Sequence, residues 1–293
     1  MPENTVVVGI DGSDSALQAA RWAAAVATAC GAPLHIVHAM PSFGRNLTET
    51  AAAIQAAIMS YQRDSALIFL RAARDAVRQD RPDLTVTTEA SETPVDEALI
   101  EASRTARLIV LGGKDVTGAA AVLLGSTTLR VATRAECPVV AFRGDRVAVA
   151  DKPIVVGVDG SDAGVGVLAT AFEFARSLQV KLVAVRSWTT RAPVGDVTVP
   201  FLIDWDALEA AEWSALTDLV DEWRQRYPEV DVECVVETMS PGRALLRHAA
   251  DAQLVVVGSR GRNALTGLVL GSTSMNLLHH SPVPVMVTRA AAD

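Results

Sequence analysis

Two segments of the chain place glycines and hydroxyls where an anion can be held. Gly258-Ser259-Arg260-Gly261 follows an apolar run, and nine residues later Gly271-Ser272-Thr273 opens a helical pattern. Glycine reaches positive φ and lets backbone come close to a ligand, so the first turn can aim successive N–H groups at an anion. The second segment sets a phosphate at a helix N-terminus, where unpaired N–H groups and the helix dipole favour negative charge. Ser272 and Thr273 add hydroxyl donors there, and Arg260 and Arg262 bring positive charge to the turn. Asp159 ends another apolar run of the same half. A carboxylate only accepts hydrogen bonds, which suits a ribose hydroxyl or a base amino group and repels phosphates. Asp before Gly also makes an ordinary turn, and that reading stands beside the first.

The same frame occurs earlier, with one change. Gly112-Gly113-Lys114-Asp115 precedes nine residues and then Gly125-Ser126-Thr127, so Asp115 stands where the second glycine belongs. Asp tolerates a left-handed backbone better than most residues, yet it costs up to about 1–2 kcal/mol relative to glycine. It also brings negative charge toward the phosphates, which Lys114 partly offsets. Asp11 matches Asp159, so a weakened or altered first site is expected rather than an abolished one.

This recurrence is part of a tandem duplication. Val7-Val8-Gly9-Ile10-Asp11-Gly12-Ser13-Asp14 returns as Val155-Val156-Gly157-Val158-Asp159-Gly160-Ser161-Asp162, 148 positions later. Leu108-Ile109-Val110-Leu111-Gly112 answers Leu254-Val255-Val256-Val257-Gly258 at an offset of 146. At 293 residues the length suits two domains of about 100–200 residues each, with the joint near Arg143 to Lys152. The expected domains are residues 1–146 and 152–293.

The elements that must position these groups follow from pattern. Val6 to Ile10 is short, apolar and β-branched, as in a strand buried on both faces of a parallel sheet. Ser13 or Asp14 then caps a helix with apolar residues at helical spacing, stopped by Gly31. Leu34 to Ala39 is a second strand, residues 41 to 60 a long connection, and Gln62 to Gln79 a helix. A third strand is expected at Leu84 to Thr88, a helix at 95 to 105, a fourth strand at Leu108 to Leu111, a helix from Ser126 to Thr133, and a fifth strand at Val139 to Phe142. The second half repeats the order, with strands near 154–158, 181–186, 230–236, 254–257 and 285–288. Strands alternating with helices imply right-handed βαβ units and a parallel sheet with helices on both faces. Such sheets bind ligands at the carboxyl ends of their strands, where the strand order reverses. With strand one central, that point lies between strands one and four. Gly9 and Gly157, at the end of strand one in each half, join the expected site.

Composition narrows the partners. A net charge of −8 argues against nucleic acid, whose affinity would rest on phosphate neutralisation by Lys and Arg. No apolar run approaches the roughly 18–20 residues needed to span a bilayer, and Met1-Pro2-Glu3-Asn4-Thr5 lacks a basic segment followed by an apolar one. A cytoplasmic location is expected. Cys30, Cys137 and Cys234 are widely spaced and read as small buried hydrophobes. His35 and His38 look like sheet residues without cysteine partners, so no metal site is expected. His279 and His280 fall near the end of the last helix, where positive charge suits the dipole. Trp205, Trp213 and Trp223 are expected along a helix as core or interface residues, with a ligand stack as the other reading.

On these motifs the chain resembles the universal stress protein family in its tandem two-domain form, over essentially its full length, and the spaced glycines resemble its ATP-binding branch. The resemblance implies two Rossmann-like domains of the adenine nucleotide alpha hydrolase-like kind, each a five-stranded parallel sheet. It implies that Asp11 and Asp159 meet the nucleoside of ATP. Gly112, Lys114, Gly125, Ser126 and Thr127 would meet the phosphates in one half, and Gly258, Ser259, Arg260, Gly261, Arg262, Gly271, Ser272 and Thr273 in the other, with magnesium able to accompany them. It further implies pairing through the last strands, between halves or in a homodimer, an unidentified protein partner, and a role in stress response or growth control. The alternative is a slow ATPase or another ATP-using enzyme of this fold. The chain lacks the GxxxxGK[ST], GxSxG and GxGxxG motifs and shows no general base beside the glycine loops, so at most very slow hydrolysis is expected.

Overall fold

The computed structural model describes residues 3–40, 49–112, 125–144, 147–189, 204–260 and 270–289. The chain divides into two compact units, Met1–Ala150 and Asp151–Asp293.

In the first unit, β1 (Thr5–Gly9) leads to α1 (Asp14–Ala29), β2 (Leu34–Ala39), α2 (Glu49–Asp80), β3 (Val86–Ser91), α3 (Val95–Ala102), β4 (Ala106–Gly112), α4 (Ser126–Arg134) and β5 (Val139–Phe142). The strands lie in the order β3-β2-β1-β4-β5, and the β2, β1, β4 and β5 pairings are all parallel. Every residue of β1 is buried, because a central parallel strand is covered on both faces. α1 and α2 pack together, as do α3 and α4, which clothes the two faces of the sheet.

The second unit repeats this with β6 (Ile154–Val158), α5 (Asp162–Leu178), β7 (Leu182–Ser187), α6 (Trp205–Arg226), β8 (Val232–Glu237), α7 (Pro241–Ala249), β9 (Leu254–Gly258), α8 (Ser272–His280) and β10 (Val285–Thr288). Its order is β8-β7-β6-β9-β10, again with parallel pairs.

Several expectations need correction. Residues 49 to 60, read as connection, are the first turns of α2, since Ala-rich sequence can extend a helix once its later turns are docked by buried Ala66, Leu70, Ala73 and Val77. The third strand begins at Val86, two residues later than expected, because Leu84 bonds back to Arg81 in the turn that closes α2. α3 ends at Ala102, where Ser103 takes over as its cap. Among the cysteines only Cys137 is buried; Cys30 and Cys234 are half-buried, at a helix end and on the edge strand β8.

Candidate functional site

The strand order reverses between β1 and β4, and again between β6 and β9, because each first strand has its second on one side and its fourth on the other. The carboxyl ends of these strands therefore lie side by side.

The turn after the first strand has the same construction in both units. Asp11 Oδ1 accepts the Ser13 amide at 3.0 Å and the Ser13 hydroxyl at 2.6 Å. Asp159 Oδ1 accepts the same two donors of Ser161, at 3.0 and 2.6 Å. Between them Gly12 and Gly160 adopt φ of +85° and +71°, which is what these glycines are for. Ser13 in turn accepts the Ala16 amide at 3.2 Å and caps α1. Each aspartate is thus a turn former, tied through Oδ1 to the chain that feeds its helix. Asp11 is exposed and Asp159 half-buried.

The helix that follows the fourth strand starts alike in both units. Gly125 and Gly271 are N-caps with φ, ψ of −62°, 140° and −60°, 152°. Neither helix has a side-chain cap or an acid in its first turn, so the positive dipole end of each favours an anion. Ser126 and Ser272 are exposed, Thr127 and Thr273 half-buried, and the next residue, Thr128 or Ser274, buried. Ser274 donates its hydroxyl to the Gly258 carbonyl at 2.5 Å, and the Gly271 amide donates to the Ser259 carbonyl at 2.9 Å. These two bonds tie α8 to the end of β9. They also use the Gly271 amide.

The glycines act by what they lack rather than by positive φ. Among the described residues positive-φ glycines are Gly12, Gly31, Gly144 and Gly160, so Gly112, Gly125, Gly258 and Gly271 have ordinary backbone angles. A Cβ on Gly112 would lie 3.1 Å from the Ala16 amide nitrogen and the Ser15 carbonyl, and one on Gly258 would lie 3.0 Å from the Arg260 carbonyl. Gly112 admits the backbone of α1, and Gly258 the turn that carries Ser259 and exposed Arg260. Gly9 and Gly157 serve packing, since a Cβ there would meet Leu111 at 2.7 Å and Leu245 at 2.9 Å. Gly113, Lys114, Asp115, Gly261 and Arg262 lie outside the described residues.

Pattern reading passed over Ser274 and Thr128, although both belong to the repeated Gly-Ser-Thr-Ser/Thr segment that could have marked them. Gly164 also went unremarked; its missing side chain leaves room for Asp159, whose Oδ1 would stand 3.2 Å from a Cβ there.

The histidines and tryptophans have local partners. His35 contacts Thr87 and Glu89, and His38 Nδ1 contacts the Ile10 carbonyl at 2.9 Å. His279 and His280 lie in the last turn of α8. Trp223 stacks on Phe172 and Tyr227, whereas Trp205 stacks on Trp188 and, like Trp213, stays exposed. Among the described residues no group of three or more His, Cys, Asp or Glu is gathered as a metal would need.

Two sequential, doubly wound α/β units with matching turns at their switch points define a duplicated Rossmann-like protein. The chain belongs to the universal stress protein family, whose sequence model matches residues 3–143 and again 152–289. It is 35% identical to a universal stress protein of Mycolicibacterium smegmatis, over 98% of this chain and 97% of that one. It is likewise 35% identical to universal stress protein Rv2005c of Mycobacterium tuberculosis, with 98% and 97% covered. A universal stress protein from Archaeoglobus fulgidus has the same fold, with a TM-score of 0.69 at 20% identity over 99% of this chain and 100% of that one.

Proposed function

We propose that the protein binds ATP at the switch point of its second unit and acts as a nucleotide-dependent regulator of stress response or growth. The observation that carries this reading is α8 itself, a helix start with a glycine cap, no first-turn acid and the hydroxyls of exposed Ser272 and half-buried Thr273, fastened to the end of β9, the strand beside β6 and its Asp159 turn. Phosphate oxygens meet the Ser272 and Thr273 amides there, and the nucleoside lies toward Asp159. Magnesium accompanying the phosphates would take hard oxygen ligands from them and from these hydroxyls.

The first unit has the same helix start, but Asp115 opposes phosphate, so its site is the weaker one. The protein is a sensor rather than an efficient enzyme, because efficient phosphoryl transfer needs a positioned base or water-orienting group and a clamp on the γ-phosphate. Arg260 supplies part of a clamp; the second unit's glycine turn carries no Asp, Glu or His to act as a base. Bound nucleotide acts by preferring one conformation or partner state over another. Pairing through the last strands and a cytoplasmic location complete the reading; among the described residues no helix is long and apolar enough to cross a membrane.

Calorimetry with ATP, together with mass spectrometry of ligand released from denatured protein, tests the proposal. Saturable binding that Ser272→Ala and Asp159→Ala each weaken is expected, with phosphate release far below about one per second. No binding removes the reading; turnover near one per second that depends on Ser272 replaces it with an ATPase.

A further inference from the structure

α2 carries an outward face that the nucleotide reading does not use. The helix has 32 residues, about 48 Å at 1.5 Å per residue, against a usual length of about 11–12 residues. Its buried side holds Ala66, Leu70, Ala73 and Val77. On the opposite side Tyr61, Leu67 and Ile68 are 74%, 49% and 63% exposed, which is unusual for large apolar side chains grouped within two turns.

Two charges sit in the middle of this apolar face. Asp64 and Arg71 are both exposed and seven residues apart, so they lie on one line along the helix, roughly 10 Å apart and too far to pair with each other. Arg63, just beside them, already pairs with Glu92, and Arg74 with Asp75. Among the described residues neither Asp64 nor Arg71 has an ion-pair partner.

An opposite-signed pair placed symmetrically about an apolar centre is self-complementary. If a second α2 crosses antiparallel with the twofold axis between Leu67 and Ile68, Leu67 of each copy meets Ile68 of the other. Asp64 of each copy then stands opposite Arg71 of the other, so every charge is paired and the contact contains the pair twice. A twofold contact requires that one patch fit itself in this way. We propose that this face of α2 is an interface with a second copy of the same chain, arranged antiparallel about Leu67 and Ile68. It is separate from any pairing through last strands.

Sedimentation of the full chain across micromolar concentrations tests it. Ile68→Glu is expected to halve the assembly mass, and Asp64→Arg and Arg71→Asp each to weaken self-association tenfold or more. A mixture of the two charge variants should associate as the unaltered chain does, since both contacts then join opposite charges. Circular dichroism checks that each variant is folded, as all three positions are exposed. An unaltered chain that does not self-associate overturns the proposal. So does an assembly whose mass Ile68→Glu leaves unchanged, or charge variants that fail to restore each other. ATP binding by calorimetry is expected to be the same in these variants, which separates this result from the fate of the nucleotide reading.

Discussion

The two units differ where they might have been expected to match, in the helix that follows the first strand. α1 buries Ala16, Ala19, Ala20, Ala23, Ala24 and Ala27, whereas α5 buries Val167, Leu168, Phe172 and Phe174. Small side chains let α1 bring its own backbone against Gly112; in the second unit Gly258 meets the Val167 side chain instead. The second strand diverges too, since His38 in the first unit corresponds to Arg186 in the second, which pairs with Glu212 of α6. Yet the Asp-Gly-Ser turn keeps its two bonds from serine to aspartate, and the Gly-Ser-Thr helix start keeps its glycine cap and its exposed serine. Packing has drifted around two preserved turns, which is the pattern expected when the turns carry the ligand chemistry.

The comparison breaks most sharply at Gly271. Its backbone angles suit Asp, a favoured N-cap, so Gly271→Asp should leave α8 folded while setting a carboxylate against the phosphates. ATP affinity of the second unit is expected to fall about a hundredfold or more, roughly 2.7 kcal/mol. Gly125→Asp in the already weaker first unit should change total binding little; calorimetric affinities that respond equally to both substitutions would show that the units are equivalent.

Within the first unit the two glycines should separate by role. Gly112→Ala forces a Cβ onto the α1 main chain and is expected to cost about 1–3 kcal/mol in denaturant unfolding. Among the described residues Gly125→Ala meets only Thr128, at 3.7 Å, and should cost less than about 1 kcal/mol. Comparable losses would mean that Gly112 is not a close-approach position.

Asp115→Gly sharpens the contrast from the other side. Removing the charge and restoring glycine should raise first-unit ATP affinity about tenfold, or 1.4 kcal/mol. A titration that shows two equal sites before and after the change contradicts the asymmetry.

The smallest effect is pH-dependent and confined to the first unit. Asp80 accepts two hydrogen bonds from Arg21, at 2.6 and 3.0 Å, and these hold its carboxyl below the usual carboxylate range; the matching position to Arg21 in the second unit is Ala169. A depressed folded-state value means that the pair stabilises fully above about pH 4, the ordinary Asp range, and that this stability is lost as pH falls through the depressed value. Because the pair is partly exposed, Asp80→Asn should cost well under about 1 kcal/mol at neutral pH and flatten the acid limb of the stability curve. In the same unit burial pushes the Cys137 thiol up to about 12, so it should resist alkylation at pH 8 until the chain unfolds.

Much of the fold was legible because its signals are local. Continuous β-branched runs mark strands covered on both faces, and Asp-Gly-Ser and Gly-Ser-Thr mark where helices begin. Strand ends were less legible: β3 starts at Val86 because the turn closing α2 claims Leu84. The length of α2 was hidden for a related reason, since its first turns carry little periodicity and depend on the docked remainder.

The amino-acid sequence by itself determined the duplication, the strand and helix order, the family, and the two turns that lie at each switch point. Only tertiary structure decided what each glycine is for. Gly112 answers to Ser15 and Ala16, nearly a hundred residues away, and Gly9 to Leu99 and Leu111. It also decided that Gly271 spends its amide on Ser259, that Ser274 fastens α8 to β9, and that Tyr61 and Ile68 face outward. Hydrogen-bonded turns and periodic runs are set by residues within a few positions of one another, so they can be read along the chain. Close approach, exposure and the use of a donor depend on which distant segments the folded sheet brings together.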